Sequence, residues 1–130
     1  MSSETKADSI TALIVDDDTA WLALVESTIA NPQVRCVSDP RQVLPLLEKH
    51  DIDVVITDTN MPHLNGIELL RAIRSESRWD ALPIVVLFSG LHGSTITENH
   101  VLSLGATLVM TKRDFLWNWE SLLKPLLAST

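Results

Sequence analysis

Three aspartates in a row, Asp16, Asp17 and Asp18, close the apolar run ITALIV, and a fourth, Asp58, closes the β-branched run DVVIT. Ser89, backed by Gly90, follows a third apolar run, PIVVLF, and Lys112 comes just after a fourth, TLVM. Taken singly, each has an ordinary reading: a helix cap, a turn residue, a solvated charge. Taken together they supply what phosphoryl transfer needs. A carboxylate can attack phosphorus, and a hydroxyl and an ammonium can hold the phosphoryl oxygens. Carboxylates gathered this closely repel one another unless a cation intervenes. With no His or Cys beside them, an all-oxygen set suits Mg²⁺.

The four positions meet only if the strand ends meet. After the polar tail MSSETKADS (residues 1–9), residues 10–128 read as one domain of five strand and helix alternations. The expected strands are 10–15, 34–37, 53–57, 83–88 and 107–110, with helices near 19–30, 40–50, 66–78, 95–104 and 114–124. Asn31-Pro32 punctuates the first helix, Asp39 with Pro40 opens the second, Gly105 closes the fourth and Pro125 ends the fifth. Apolar runs without polar alternation are covered on both faces, which is the signature of a parallel sheet. The fold class is therefore α/β, a doubly wound five-stranded parallel sheet. In the order 2-1-3-4-5, strands one and three flank the topological switch point, and their carboxyl ends open on one crevice.

Composition narrows the function. A chain of 130 residues, 45% hydrophobic, fits a single core. A net charge of -7 and a pI near 4.9 exclude the basic footprint of a nucleic-acid reader. Cys36 is alone and forms no internal disulfide. The N-terminal residues lack the apolar stretch of a signal peptide, and no apolar run reaches bilayer length, so no membrane partner and a cytoplasmic location are expected.

With these positions in hand, the chain resembles the receiver domain of two-component response regulators from about Ile10 to Leu127. The matching residues are Asp16 and Asp17 after strand one; Asp58, Met61, Pro62 and Gly66 within DTNMPHLNG; Ser89; and Lys112. The resemblance implies a (βα)5 flavodoxin-like fold and Asp58 as phosphoacceptor, receiving the group from a histidine kinase or histidine phosphotransfer protein. It implies Asp17 as a direct Mg²⁺ ligand and Asp16 acting through water, with Asp58 and the Asn60 backbone carbonyl on the same ion. Ser89 and Lys112 would bind phosphoryl oxygens, and the order they impose would be the signal. Self-phosphorylation and slow hydrolysis would be the only chemistry, so the protein is not otherwise an enzyme.

Three positions depart from the pattern. Val109 stands where many receivers carry Tyr or Phe, Arg113 where many carry Pro, and Thr59 where an apolar residue is common. Val109 and Arg113 are the best support for the competing reading, a pseudo-receiver that binds partners without phosphorylation. A turnover phosphatase of the haloacid dehalogenase kind is disfavoured, because DDDTA puts Ala20 where that motif wants Thr or Val.

Other residues are expected outside the site. Asp18 reads as an N-cap, and His50, His63, His92 and His100 share no metal-ligand spacing. Trp79 is expected to close the core at the end away from the site. Trp21 falls with Leu24, Val25 and Thr28 on a core-facing stripe, one turn from the acidic pair. On the fifth helix, Phe115, Leu116, Trp119, Leu122, Leu123 and Leu126 form the sheet-facing side, and Trp117 lies opposite with Glu120, Ser121 and Lys124. That makes Trp117 a candidate anchor for a downstream partner or a second copy on the face of helix four, strand five and helix five.

Overall fold

The computed structural model describes residues 10–88 and 95–126. Ser89, Gly90, His92 and the N-terminal tail lie outside the described residues. The chain alternates strictly: β1 (Ile10–Val15), α1 (Thr19–Ile29), β2 (Val34–Val37), α2 (Val43–Lys49), β3 (Ile52–Asp58), α3 (Gly66–Arg74), β4 (Ile84–Phe88), α4 (Thr95–Ser103), β5 (Leu108–Thr111) and α5 (Lys112–Leu123). All four strand pairings are parallel, and the sheet order is β2-β1-β3-β4-β5.

Each central strand is buried on both faces, as its apolar run requires. Leu13 and Val15 of β1 face one way, against Val43 and Leu47 of α2, Leu69, Leu70 and Ile73 of α3 and Val101 of α4. Ala12 and Ile14 face the other, against Leu22, Val25 and Ile29 of α1 and Phe115 and Leu123 of α5. Each Val, Leu, Ile or Phe among them contributes about 1.5–3 kcal/mol on full burial. These two apolar layers hold the sheet rigid beneath its carboxyl edge. Register sets that edge: Val15 lies opposite Thr57, Asp58 opposite Leu87 and Phe88 opposite Thr111.

Helix ends differ from the sequence expectation for local reasons. The segment after Asp39 starts as a 3-10 turn, Pro40–Gln42, whose N-cap Asp39 accepts from the Arg41 backbone N–H; the α-helix begins at Val43. The third helix stops at Arg74, extended Glu76 interrupts it, and a separate 3-10 turn covers Ser77–Trp79. The fifth helix begins at Lys112, two residues early, because β5 runs straight into it. The Thr111 hydroxyl caps it by accepting from the Asp114 backbone N–H at 3.0 Å. Asp18 caps α1 as expected, accepting from the Trp21 N–H at 3.1 Å. Gly105 takes a positive φ of 114° after α4.

The α1 stripe is a correction. Its buried residues are Leu22, Val25 and Ile29; Leu24 is 48% exposed, Thr28 is exposed and Trp21 is half-buried beside the stripe. On α5, Phe115 and Leu123 are fully buried, and Leu116, Trp119 and Leu122 flank them. Leu126 falls beyond the last helical turn and is exposed, while Trp117 is 77% exposed on the opposite side. Trp79 packs at the edge of the α2/α3/α4 layer, with the Arg78 guanidinium over its ring.

Candidate functional site

Asp16 is the first residue past β1 and is fully buried. Its backbone N–H donates to the Val37 carbonyl at 3.1 Å, and its Oδ1 accepts from the Asp18 N–H at 2.9 Å. The turn that makes Asp18 a helix cap therefore also fixes Asp16. Asp17, between them, is exposed. Asp58 ends β3 and is buried. The next residue locks it in place: the Thr59 N–H and the Thr59 hydroxyl both donate to the Leu87 carbonyl, at 3.0 and 2.7 Å. This gives Thr59 a structural role its sequence position did not reveal.

The loop returns to α3 under tight constraint. His63 adopts a positive φ of 71°, and the Gly66 N–H donates to the Thr59 carbonyl at 2.8 Å. A Cβ on Gly66 would stand 2.1 Å from the Asp58 carbonyl oxygen, so only glycine allows the approach. Asn65 and Glu68 cap the helix reciprocally, each side chain accepting from the other's backbone N–H. Met61 is buried in the core, while Pro62 and Asn60 are exposed.

Lys112, the first residue of α5, reaches across the carboxyl edge. Its Nζ lies 2.6 Å from Asp16 Oδ2 and 3.8 Å from Asp58 Oδ1, with the side chain only 14% exposed. One carboxylate oxygen from each of Asp16, Asp17 and Asp58 falls within 4.8 Å of the others. Three carboxylates and one ammonium leave the corner anionic. Burial, then the Asp16 charge, push the Asp58 carboxyl up to about 6; Lys112 and the Thr59 N–H offset part of this and Asp17 adds to it. Burial works against the Lys112 charge, but the Asp16 contact and the charges of Asp16, Asp58 and Asp18 outweigh it, so its pKa is raised.

Asp58 Oδ1 is buried with no hydrogen-bond donor. An unpartnered oxygen among three clustered carboxylates is the donor chemistry that a hard divalent cation satisfies. Among the described residues this is the metal-capable cluster; His50, His63 and His100 are not in it. Val109 is half-buried against the α2/α3/α4 layer, and Arg113 follows Lys112 within α5.

One contact went unread in the sequence. The Lys112 Nζ lies 5.0 Å from the centre of the Trp21 ring, which in turn sits 6.2 Å from the Phe115 ring at 48°. The nearness of Trp21 to the acidic pair was legible; its contact with the lysine was not, because it joins α1 to α5.

A doubly wound sheet that gathers carboxylates and a lysine at its switch point defines a flavodoxin-like domain with a charged ligand site. The model of the response regulator receiver domain matches residues 12–115, and the chain belongs to that family. Protein RcaC of Microchaete diplosiphon is 34% identical over 96 residues, covering 72% of this chain but only 14% of RcaC. Chemotaxis protein CheY1 of Helicobacter pylori is 32% identical over 79 residues, 58% of this chain and 64% of CheY1. CheY-3 of Vibrio cholerae is 35% identical over 89 residues, 66% of this chain and 68% of that protein. The crystal structure of Vibrio cholerae CheY4 superposes with a TM-score of 0.77 at 28% identity, covering 92% of this chain and 99% of CheY4. Among the described residues no helix is long and apolar enough to cross a membrane.

Proposed function

We propose that the protein is a phosphorylation-controlled signalling module in which Asp58 accepts a phosphoryl group from a histidine kinase or phosphotransfer protein. The observation that carries this reading is the Asp58 carboxylate itself. Its Oδ1 is buried, has no hydrogen-bond donor, and lies 3.8 Å from the Lys112 ammonium. An Asp58 oxygen attacks phosphorus; the new P–O bond forms as the P–N bond of phosphohistidine breaks, and the imidazole nitrogen keeps the electron pair and takes a proton from solvent. Water later cleaves the acyl phosphate, returning the carboxylate and inorganic phosphate.

Lys112 supplies positive charge to the transferred oxygens, and Ser89, next in sequence after β4, would supply a hydroxyl. Asp16, Asp17, Asp58 and the Asn60 carbonyl would hold Mg²⁺, which when bound neutralises phosphoryl charge. Output then passes to a downstream protein or a second copy across the face of α4, β5 and α5, where Trp117 stands exposed.

The test is intact mass after incubation with Mg²⁺ and a small acyl phosphate. Wild type gains one phosphoryl group and Asp58→Asn gains none. Wild type that stays unmodified with several donors would establish the pseudo-receiver reading, which Val109 and Arg113 favour. Equal labelling of Asp58→Asn would remove Asp58 as nucleophile.

A further inference from the structure

We propose that Trp21 is a positioning residue for the phosphoryl site: its ring face holds the Lys112 ammonium over the two buried carboxylates and lets it move between them. The inference rests on the reading of Asp58 as phosphoacceptor and adds a residue to it.

Lys112 has a long, flexible stem that would ordinarily carry its charge into water. Here three groups surround the ammonium: Asp16 Oδ2 at 2.6 Å, Asp58 Oδ1 at 3.8 Å and the Trp21 ring at 5.0 Å. Indole is the strongest aromatic partner for a cation, and the contact gains when the cation is partly removed from water, as it is here. The Trp21 backbone N–H donates to the Asp18 cap, which fixes the start of α1, and the ring lies tilted beside Phe115, which is one helical turn beyond Lys112 and fully buried.

Trp21 packs against the edge of the α1/α5 layer, and the same ring also faces the ammonium. The buried stripe of α1 is Leu22, Val25 and Ile29, and Trp21 stands beside it, half-buried. The second contact has a chemical use. In the unphosphorylated protein Lys112 is paired with Asp16, so to serve a phosphoryl group on Asp58 it must change partners. A hydrogen-bond acceptor in place of the ring would fix the ammonium at one point. A π face attracts it without a directional requirement, so the charge can shift from Asp16 towards Asp58 while staying covered. The start of α5 at Lys112 itself, with no intervening loop, leaves the side chain to make that movement.

The experiment compares wild type, Trp21→Phe and Trp21→Leu. The first readout is the Lys112 ε-methylene proton resonance in the metal-free protein, which an indole face shifts upfield. The second is the rate of phosphorylation by a small acyl phosphate at saturating Mg²⁺, and the third is stability to urea. The expected result is an upfield Lys112 signal in wild type, reduced in Trp21→Phe and lost in Trp21→Leu. Phosphorylation of Trp21→Leu should slow by about fivefold, the scale of one partly desolvated cation–π contact, with Phe restoring most of the rate. An unshifted Lys112 signal in wild type overturns the proposal. So does an unchanged rate in Trp21→Leu, or an equal slowing in both variants that tracks their loss of stability. If Trp21→Leu does not fold, the wild-type resonance and the Trp21→Phe rate decide. Wild type that never takes a phosphoryl group fails the Asp58 reading instead, and the Lys112 resonance still tests the contact.

Discussion

Replacing Asp58 by Asn should stabilise the metal-free protein at neutral pH and leave it unchanged in acid. Asn keeps the shape of the side chain and removes its charge. In the folded protein the Asp58 carboxyl titrates near 6, against 3.8 for the ordinary group, because burial and Asp16 oppose its ionisation. Above about pH 6 the carboxylate is ionised in both folded and unfolded chains, and the folded state bears the whole penalty. Below 3.8 it is neutral in both and the penalty vanishes, so this group's contribution to stability falls as pH rises from 3.8 through 6. At 1.36 kcal/mol per pH unit the interval sets an upper bound of about 3 kcal/mol. Solvent on the Asp17 side of the site screens the interaction, and about 1.5 kcal/mol is the expected gain. For a domain of this size that is about 5 °C in melting temperature. The assay is thermal unfolding of both proteins with EDTA from pH 3.5 to 8. The gap should open with increasing pH, and millimolar Mg²⁺ should close it by stabilising wild type. A variant less stable than wild type at pH 8, or a gap of constant size across the range, would refute the account of a buried, unneutralised carboxylate.

The other expectations are simpler. Gly66→Ala should cost about 3 kcal/mol or more in urea unfolding and disturb Asp58, since its Cβ would stand 2.1 Å from the Asp58 carbonyl; a neutral result would show that the close approach is not real. Arg74→Met should cost about 2 kcal/mol, because the guanidinium bridges the Gly105 and Trp79 carbonyls at 2.9 and 2.8 Å and would leave both without that donor. Trp117→Ala should leave stability within about 0.5 kcal/mol, given its exposure, yet weaken partner binding or self-association by about 2 kcal/mol, read by sedimentation and titration. A large loss of stability there would place Trp117 in the core.

Where the sequence was legible, a single physical signal dominated. β1 matches its expected bounds because its apolar run meets Asp16, and β2 matches because it lies between the breaks at Asn31-Pro32 and Ser38-Asp39; strict alternation implies the parallel sheet, and the supposed order 2-1-3-4-5 is the order observed. Three strand-end groups, Asp16, Asp58 and Lys112, come together because that order brings their strands to one crevice. Helix starts were less legible where two signals competed. Thr111-x-x-Asp114 is a capping pattern, but it overlaps the end of a strand and was read as loop. The α1 stripe failed for a different reason: counting apolar residues admits Leu24 as readily as Leu22, and only the sheet and α5 decide which face turns inward. Gly66 was legible as a motif residue, but its reason, contact with the Asp58 carbonyl, exists only in three dimensions. The same is true of Thr59, whose partner Leu87 lies on another strand.

That Thr59 contact bears on how a charge at Asp58 would be felt elsewhere. The central strands are packed on both faces and lack room to shift, so a new phosphoryl group cannot be accommodated by deforming the sheet. Its effect must fall on the residues past the strand ends. Asp58 is joined to β4 there by two hydrogen bonds from Thr59 to Leu87, and to α5 by Lys112. Under the proposed function these are the two physical routes out of the site. One leads through Leu87 into β4. The other leads through the lysine to the first turn of α5, where Trp21 and Phe115 meet it. The second route needs no aromatic at position 109, because the charge that moves is the Lys112 ammonium and the aromatic that registers the movement stands on α1.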